Sequence, residues 1–374
     1  MKILCIHQGY ELYGSDRSFV DVIMTLKTNY PQAHITVILP KEGPILELLA
    51  PLIDDIRMEE LSVIRKKDIQ DFNFKPLVDL FKTLKKNKSL QRNYDLVYIN
   101  SIVVLGHILA DTVAGTKRII HVREIPTGII KHIFTWLLNF RSAYFIFNSE
   151  ATQDAFVSLK SKNKFVVYNG FDGYSNVRPI NDVDKLNLLL IGRINSWKGH
   201  LLLLKALKEI VNEGITGISV RFVGDVFENQ NHFIEELHLY INKNRLTEFV
   251  SFHPFSGDAK LHYEWADVVV VPSTKPEPFG RVAIEAMSAG RVVIAANHGG
   301  LKEIVKQNET GLLFEPGDVG SLKSSVLFLA KNPNRILDYG LAGKHRFQEY
   351  FTSDIHAEKI SETFDIILKD LPNN

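Results

Sequence analysis

The sequence holds one cysteine, Cys5, in 374 residues, so no disulfide framework can staple the fold and a reducing compartment is expected. No apolar run approaches the ~20 residues that a membrane-spanning helix needs. Charge of either sign is not in excess: 44 Lys+Arg stand against 43 Asp+Glu, which argues against a dedicated nucleic-acid binder. No His/Cys cluster has zinc spacing, and no Asp-x-Asp stands at a strand end as a metal-dependent sugar transferase would have it. A Gly-x-Gly-x-x-Gly after a strand and a Gly-x-Ser-x-Gly elbow are both missing, so neither a dinucleotide fingerprint nor a hydrolase nucleophile is read. Met1-Lys2-Ile3-Leu4-Cys5-Ile6 runs into a turn after too short an apolar stretch for a signal peptide. The expected location is cytoplasmic, or peripheral at the inner face of a membrane.

What is present is a long alternation of strands and helices. Lys2 to His7, His34 to Pro40, Ile56 to Leu61, Asp95 to Asn100, Arg118 to Val122, Ala143 to Asn148 and Phe165 to Tyr168 read as strands. Helices are predicted between them, with Ser15 or Asp16 as cap of the first and a long one over Ile102 to Ala114. From Asn169 to Asp184 the pattern lapses into Gly, Pro, Asn and Asp, which reads as a linker. A second alternation follows, from Leu186 to Phe314, and closes with helices over Asp318 to Lys331, Pro333 to Tyr350 and Ser353 to Leu371. The expected architecture is α/β: two doubly wound, Rossmann-like parallel-sheet domains, residues 1–170 and 184–352, facing across a cleft. Charge divides unevenly between them. Residues 1–170 carry 22 Lys+Arg against 17 Asp+Glu, and the remainder 22 against 26.

The most informative stretch follows the apolar run Asp267-Val268-Val269-Val270-Val271-Pro272. It is Glu277-Pro278-Phe279-Gly280-Arg281-Val282-Ala283-Ile284-Glu285, a loop acid, a helix start and a second acid inside that helix. Glycine at a helix N-terminus lets an anion reach free N–H groups, so Phe279 and Gly280 suit a phosphate. Glu285, about a turn and a half further along, suits a pair of ribose hydroxyls. Gly192-Arg193-Ile194-Asn195-Ser196-Trp197-Lys198-Gly199 follows the first strand of the second domain, where Arg193 and Lys198 could neutralise a diphosphate. Gly14, in the loop after the first strand, could bring backbone amides to a phosphate. His121 ends a strand and would face the cleft, while Arg123 and Glu124 beside it could pair with each other. Lys82, Lys85, Lys86, Lys88 and Arg92, with the apolar stretch Ile129, Ile130, Ile133, Phe134, Trp136, Leu137, Leu138 and Phe140, leave peripheral membrane contact through the N-terminal domain open. The alternative is that the lysines are solvated and the apolar residues pack on the sheet.

Taken together these residues resemble the retaining glycosyltransferases of family 4, which have the GT-B fold. Glu277-x7-Glu285 enclosing Phe279-Gly280, followed by Gly299-Gly300-Leu301-Lys302-Glu303, carries most of the resemblance. Gly192-Arg193 with Lys198-Gly199 is the second element, and His121, Asn148-Ser149 and Asn169-Gly170 follow in the family's order. Tyr13 stands where many members have a second glycine before Gly14. The resemblance implies that the first domain binds the acceptor and the second the nucleotide sugar, with the last helix crossing back onto the first domain. It implies that Arg193 and Lys198 hold the diphosphate, Glu285 the ribose and Glu277 the sugar hydroxyls, with His121 near the sugar and Gly14 approaching the donor phosphate.

The expected activity is metal-independent transfer of a hexose, with retention, from a UDP- or GDP-sugar to a hydroxyl of a glycan or lipid-linked acceptor, in surface polysaccharide or glycoconjugate synthesis. His121, Glu277, Arg193 and Lys198 are the candidate catalytic residues. No cofactor beyond the donor substrate, no metal and no nucleic-acid partner is expected. Two alternatives stay open: an epimerase or phosphorylase on the same scaffold, and a catalytically silent nucleotide-sugar-binding partner of another transferase.

Overall fold

The strands form where the sequence offers near-continuous runs of β-branched and aliphatic residues, the pattern of parallel strands covered on both faces. A computed structural model of the chain describes residues 1–61, 75–110, 116–139, 143–175, 177, 185–227, 229–255 and 257–369. The chain divides into two compact units, Met1–Gly170 with Ser353–Asn374, and Phe171–Thr352.

In the first unit β1 (Lys2–His7), β2 (His34–Leu39), β3 (Asp55–Met58), β4 (Leu96–Asn100), β5 (Lys117–Val122), β6 (Tyr144–Phe147) and β7 (Lys164–Val166) form one parallel sheet. Their order is β3-β2-β1-β4-β5-β6-β7. In the second unit β8 (Leu186–Ile191), β9 (Ile218–Val223), β10 (Val250–His253), β11 (Val268–Val271), β12 (Val292–Ala296) and β13 (Gly311–Phe314) form a second parallel sheet in the order β10-β9-β8-β11-β12-β13. Each sheet therefore reverses direction of growth once, between β1 and β4 and between β8 and β11. At such a switch point the loops leaving the carboxyl ends of the two central strands diverge and open a crevice. The central strands are deeply buried: all residues of β4, of β11 and of its neighbour β12 are buried.

The helix Ser353–Lys369 belongs to the first unit. Ile360, Phe364 and Ile367 share one face and are fully buried in the core of β1 and β2, with the Phe364 ring 6.1 Å from that of Tyr98. Tyr30 at the end of the helix Gly14–Asn29 donates its hydroxyl to Asp365 at 2.6 Å, which fixes the register of the two helices.

Several sequence expectations change in detail. The first helix begins at Gly14 with Tyr13 as its N-cap, so neither Ser15 nor Asp16 caps it. Asp16 instead lies in the first turn and accepts the Tyr13 N–H at 3.1 Å, bracing the helix start from inside. The helix expected over Ile102 to Ala114 is only the turn Leu105–Ile108, with residues 111–115 outside the described set. Ser101, at a φ of 120°, breaks the chain direction just after β4. A short helix, Lys260–Trp265, stands where no element is expected. Residues 176 and 178–184 of the linker, together with Phe140, Arg141 and Leu371, fall outside the described residues.

Among the described residues no helix is long and apolar enough to cross a membrane. The apolar stretch in the helix Ile129–Asn139 divides by helical period: Phe134 and Leu138 are buried, while Ile129, Ile133 and Trp136 are 72%, 41% and 61% exposed along one face.

Candidate functional site

In the second unit two loops meet at the switch point. The loop after β8 turns at Gly192 and Gly199, with φ of 145° and 83°, values open to glycine but costly for other residues. Asn195 shapes its middle: the Oδ1 atom accepts the N–H groups of both Trp197 and Lys198 at 3.0 Å. Gly199 lies so close to the loop after β11 that a Cβ there would sit on the Pro272 carbonyl oxygen. The Thr274 N–H donates to the Trp197 carbonyl at 2.7 Å, tying the loops together.

This contact brings Lys198 to Glu277. The ammonium donates to Glu277 Oε1 at 2.6 Å, and the Ser273 hydroxyl donates to the same oxygen at 2.6 Å. Glu277 is only 6% exposed, so its charge needs both donors. The Lys198 ammonium also lies 4.5 Å from the Trp197 ring centroid, which limits where it can swing. Arg193, earlier on the same loop, stacks its guanidinium 3.3 Å from the centroid of Phe227. The Glu277 backbone is held as well: its carbonyl accepts the Gly300 N–H at 2.8 Å, and a Cβ on Gly299 would sit on that carbonyl. The Gly299-Gly300 pair is therefore required by close backbone approach.

Beyond Glu277 the chain enters the helix Arg281–Ser288 through Gly280, at a φ of 113°. The Phe279 side chain is buried, edge-on to Phe351 with ring centroids 6.0 Å apart, so this residue offers a ligand its backbone rather than its ring. The N–H groups of the helix start carry partial positive charge and suit an anion. Glu285 is not bare. Its Oε2 accepts the Tyr263 hydroxyl at 2.9 Å and its Oε1 the Arg281 Nε–H at 3.2 Å, which leaves one lone pair on each oxygen for a diol. Tyr263 is fully buried; burial, and then the Glu285 charge, push its phenol well above the ordinary range, so it stays a donor. Tyr263 does not stand out in the sequence, since it supports an acid 22 residues away.

The first unit has its own polar centre at the carboxyl ends of β1, β4 and β5. His121 is fully buried, and burial with the neighbouring Arg123 charge drives its pKa well below the usual histidine range. It is therefore neutral. Arg123 and Glu124, expected as possible partners, send their side chains apart. Arg123 reaches Asn100 Oδ1 at 2.6 Å and Asn169 Oδ1 at 2.7 Å, whereas Glu124 accepts from Ser101 and from the Ile102 N–H. Burial raises the Glu124 pKa. Gly14 is exposed at the start of its helix, two residues after Leu12, whose φ of 68° is strained for a branched side chain. Among the described residues no group of three or more His, Cys, Asp or Glu gathers as metal ligands.

Residues 176–346 match the family described as glycosyl transferases group 1. The chain is 28% identical over 262 residues to an uncharacterised glycosyltransferase of Methanocaldococcus jannaschii, covering 65% of this chain and 62% of that protein. It is 36% identical over 149 residues to the lipopolysaccharide 1,2-N-acetylglucosaminetransferase of Salmonella typhimurium, covering 38% of this chain and 39% of that one. The alignments thus span less than two thirds of either relative's length. Among solved structures, Anabaena HepE in complex with UDP and glucose superposes with a TM-score of 0.79 at 25% identity, covering 98% of this chain and 99% of that one. The two Rossmann-like parallel sheets are those of the GT-B fold.

Proposed function

We propose, on the match of residues 176–346 to the glycosyl transferases group 1 family, that the chain is a retaining, metal-independent hexosyltransferase. Its donor is a nucleotide-diphosphate sugar, and its acceptor a hydroxyl of a glycan or lipid-linked glycan. The observation that carries this reading is the Lys198–Glu277–Ser273 cluster beside the amides of Phe279, Gly280 and the helix they open. A cation, a fixed acid and the N–H groups of a helix start converge there on the carboxyl edge of β8 and β11. The names of the relatives support a UDP-sugar donor and a role in surface polysaccharide synthesis.

In the proposed reaction the bond between the anomeric carbon and the diphosphate oxygen breaks while the acceptor oxygen bonds on the same face. Negative charge grows on the leaving diphosphate, where Arg193, Lys198 and the helix-start amides meet it; such preorganised electrostatics are usually the largest catalytic term. The acceptor proton passes to the departing phosphate oxygen. Glu277 has one oxygen engaged by two donors, which suits holding sugar hydroxyls and not nucleophilic attack. Glu285 binds the ribose. In the first unit, Gly14 and His121 are the residues assigned to substrate. Thermal shift with UDP-, GDP- and ADP-sugars tests the donor class; failure of all three to stabilise the protein would remove the proposal.

Tyr263→Phe removes the hydroxyl that holds Glu285 Oε2 without removing the ring. Donor KM is expected to rise about fivefold with kcat within a factor of about two, because a lost positioning bond of ~1 kcal/mol is felt in ground and transition state alike. Initial rates at varied donor concentration decide; an unchanged KM detaches Tyr263 from the ribose side.

The exposed face of Ile129, Ile133 and Trp136, on the basic unit, suits contact with an anionic membrane that carries a lipid-linked acceptor. Trp136→Glu is expected to lower co-sedimentation with phosphatidylglycerol vesicles severalfold. Equal sedimentation of variant and wild type would leave the face unassigned to lipid.

A further inference from the structure

A continuous chain of buried hydrogen bonds runs through the first unit from Asn169 to the start of the Gly14 helix, and the direction of every link can be deduced. Arg123 is the fixed point, because a guanidinium only donates. Its Nε–H faces Asn100 at 2.6 Å, so the atom there is Oδ1, and the amide nitrogen of Asn100 must be the atom that faces His7 Nδ1 at 2.9 Å. An amide nitrogen also only donates. His7 Nδ1 is thus an acceptor, the ring proton sits on Nε2, and Nε2–H donates to Asp16 Oδ1 at 2.8 Å. Asp16 in turn accepts the Tyr13 N–H and the Ser15 hydroxyl, both at 3.1 Å, in the loop that carries Gly14. Gly9 is required beside this pair, since any Cβ would sit on the Asp16 carboxylate.

The same arginine settles His121. Its Nη2 lies 3.3 Å from His121 Nδ1, and the Tyr98 hydroxyl lies 2.8 Å from that nitrogen and 3.0 Å from Asn100 Oδ1; since Arg123 already donates to that Oδ1, the one hydroxyl proton is free to go to Nδ1. A proton on Nδ1 would point at a guanidinium N–H, so Nδ1 accepts and the proton is on Nε2. That Nε2–H is buried and has no partner among the described residues. Asn148 Oδ1, an acceptor at the end of the neighbouring strand, is likewise buried without a partner among them. A buried polar group left unsatisfied costs free energy that a ligand can recover. A hydroxyl, which both accepts and donates, matches the two.

We propose that Arg123 and Asn100 are positioning residues that fix one neutral tautomer, protonated on Nε2, at both His7 and His121. Through His7 and Asp16 they lock the Gly14 loop against β1. Through His121 they hold out an N–H donor for a hydroxyl of the bound substrate. Only this last step rests on the glycosyl-transfer reading; the tautomers do not.

The test is a long-range proton–nitrogen correlation spectrum of the full chain labelled with 15N-histidine at pH 7, assigned with His7→Gln and His121→Gln. Both rings are expected to be neutral with the proton on Nε2. A proton on Nδ1 of either ring in the wild type overturns the proposal, and needs no donor to be seen. Arg123→Met is expected to release His121 to a mixture of tautomers and to lower kcat/KM about tenfold, the effect of one misdirected hydrogen bond. An unaltered His121 pattern in that variant also overturns it. If Arg123→Met does not fold, Asn100→Asp serves: a carboxylate facing Nδ1 is expected to turn His7 into an imidazolium, and a neutral His7 there contradicts the chain of donors. If the spectra agree but no nucleotide sugar binds, the glycosyl-transfer reading fails and the positioning network stands.

Discussion

Lys198→Ala is expected to lower glycosyl transfer by about two to three orders of magnitude, the cost of removing one preorganised charge from a developing anion. Two things go with the ammonium. The leaving diphosphate loses a cation that Trp197 and Glu277 hold in place. Glu277 loses one of the two donors to its Oε1 and keeps only Ser273, while remaining 6% exposed. The second loss also costs stability, about 1–3 kcal/mol for a buried acceptor left partly satisfied, so kinetics and thermal unfolding must be measured together. The fold survives, because Lys198 contributes nothing to the apolar core of the second unit. Wild-type turnover in a folded Lys198→Ala protein would contradict the assignment of Lys198 to the diphosphate.

Gly199→Ala is expected to be the most destabilising single methyl in the loops of the second unit. At a φ of 83° an alanine costs about 1–2 kcal/mol in backbone strain alone. The added Cβ would also sit on the Pro272 carbonyl oxygen. That atom is backbone at the end of a buried central strand and cannot step aside as a flexible side chain would. The loops after β8 and β11 must then separate, taking Lys198 from Glu277. A total loss of about 3 kcal/mol or more follows, a fall of roughly 6–12 °C in Tm for a domain of this size. Gly214→Ala is the matched control: its φ is 82° and nothing lies within 4 Å of the added Cβ. It should cost only the strain. Equal losses in the two variants would show that close approach at Pro272 plays no part.

The two sheets can be read from the sequence because buried parallel strands leave so plain a trace. Val268–Val271 and Val292–Ala296 are unbroken apolar runs, and each is wholly buried. The two loops proposed to hold the donor stand out for a related reason: a strand followed by glycine and a cation, or by glycine between two acids, is a pattern that suits anion binding. What cannot be read is pairing across long sequence distance. His7 and Asn100 are 93 residues apart and Arg123 and Asn169 are 46 apart, and nothing local in any of the four announces the partner. A faint signal exists, since His7 and Asn100 end apolar strands and His121 stands one residue before the end of another, where a solvated end would not require them to be buried. The support of Glu285 by Tyr263 is hidden for another reason. The helix Lys260–Trp265 is only six residues long, too short to show a period. The expected cap at Ser15 or Asp16 fails because an acid in the first turn can brace the helix start from within as well as from the cap position.

The measurement that bears most directly on the central claim is the thermal midpoint of the wild-type and Lys198→Ala proteins with UDP, with UDP-glucose and with uridine. If the second unit grips a nucleotide diphosphate through Lys198 and the Gly280 helix start, UDP and UDP-glucose stabilise the wild type by about 2.7 kcal/mol at a hundredfold excess over Kd. Uridine, which lacks the diphosphate, gives far less, and the variant loses most of the shift. Equal stabilisation of wild type and variant by UDP, or none of either by any nucleotide diphosphate, would contradict the account.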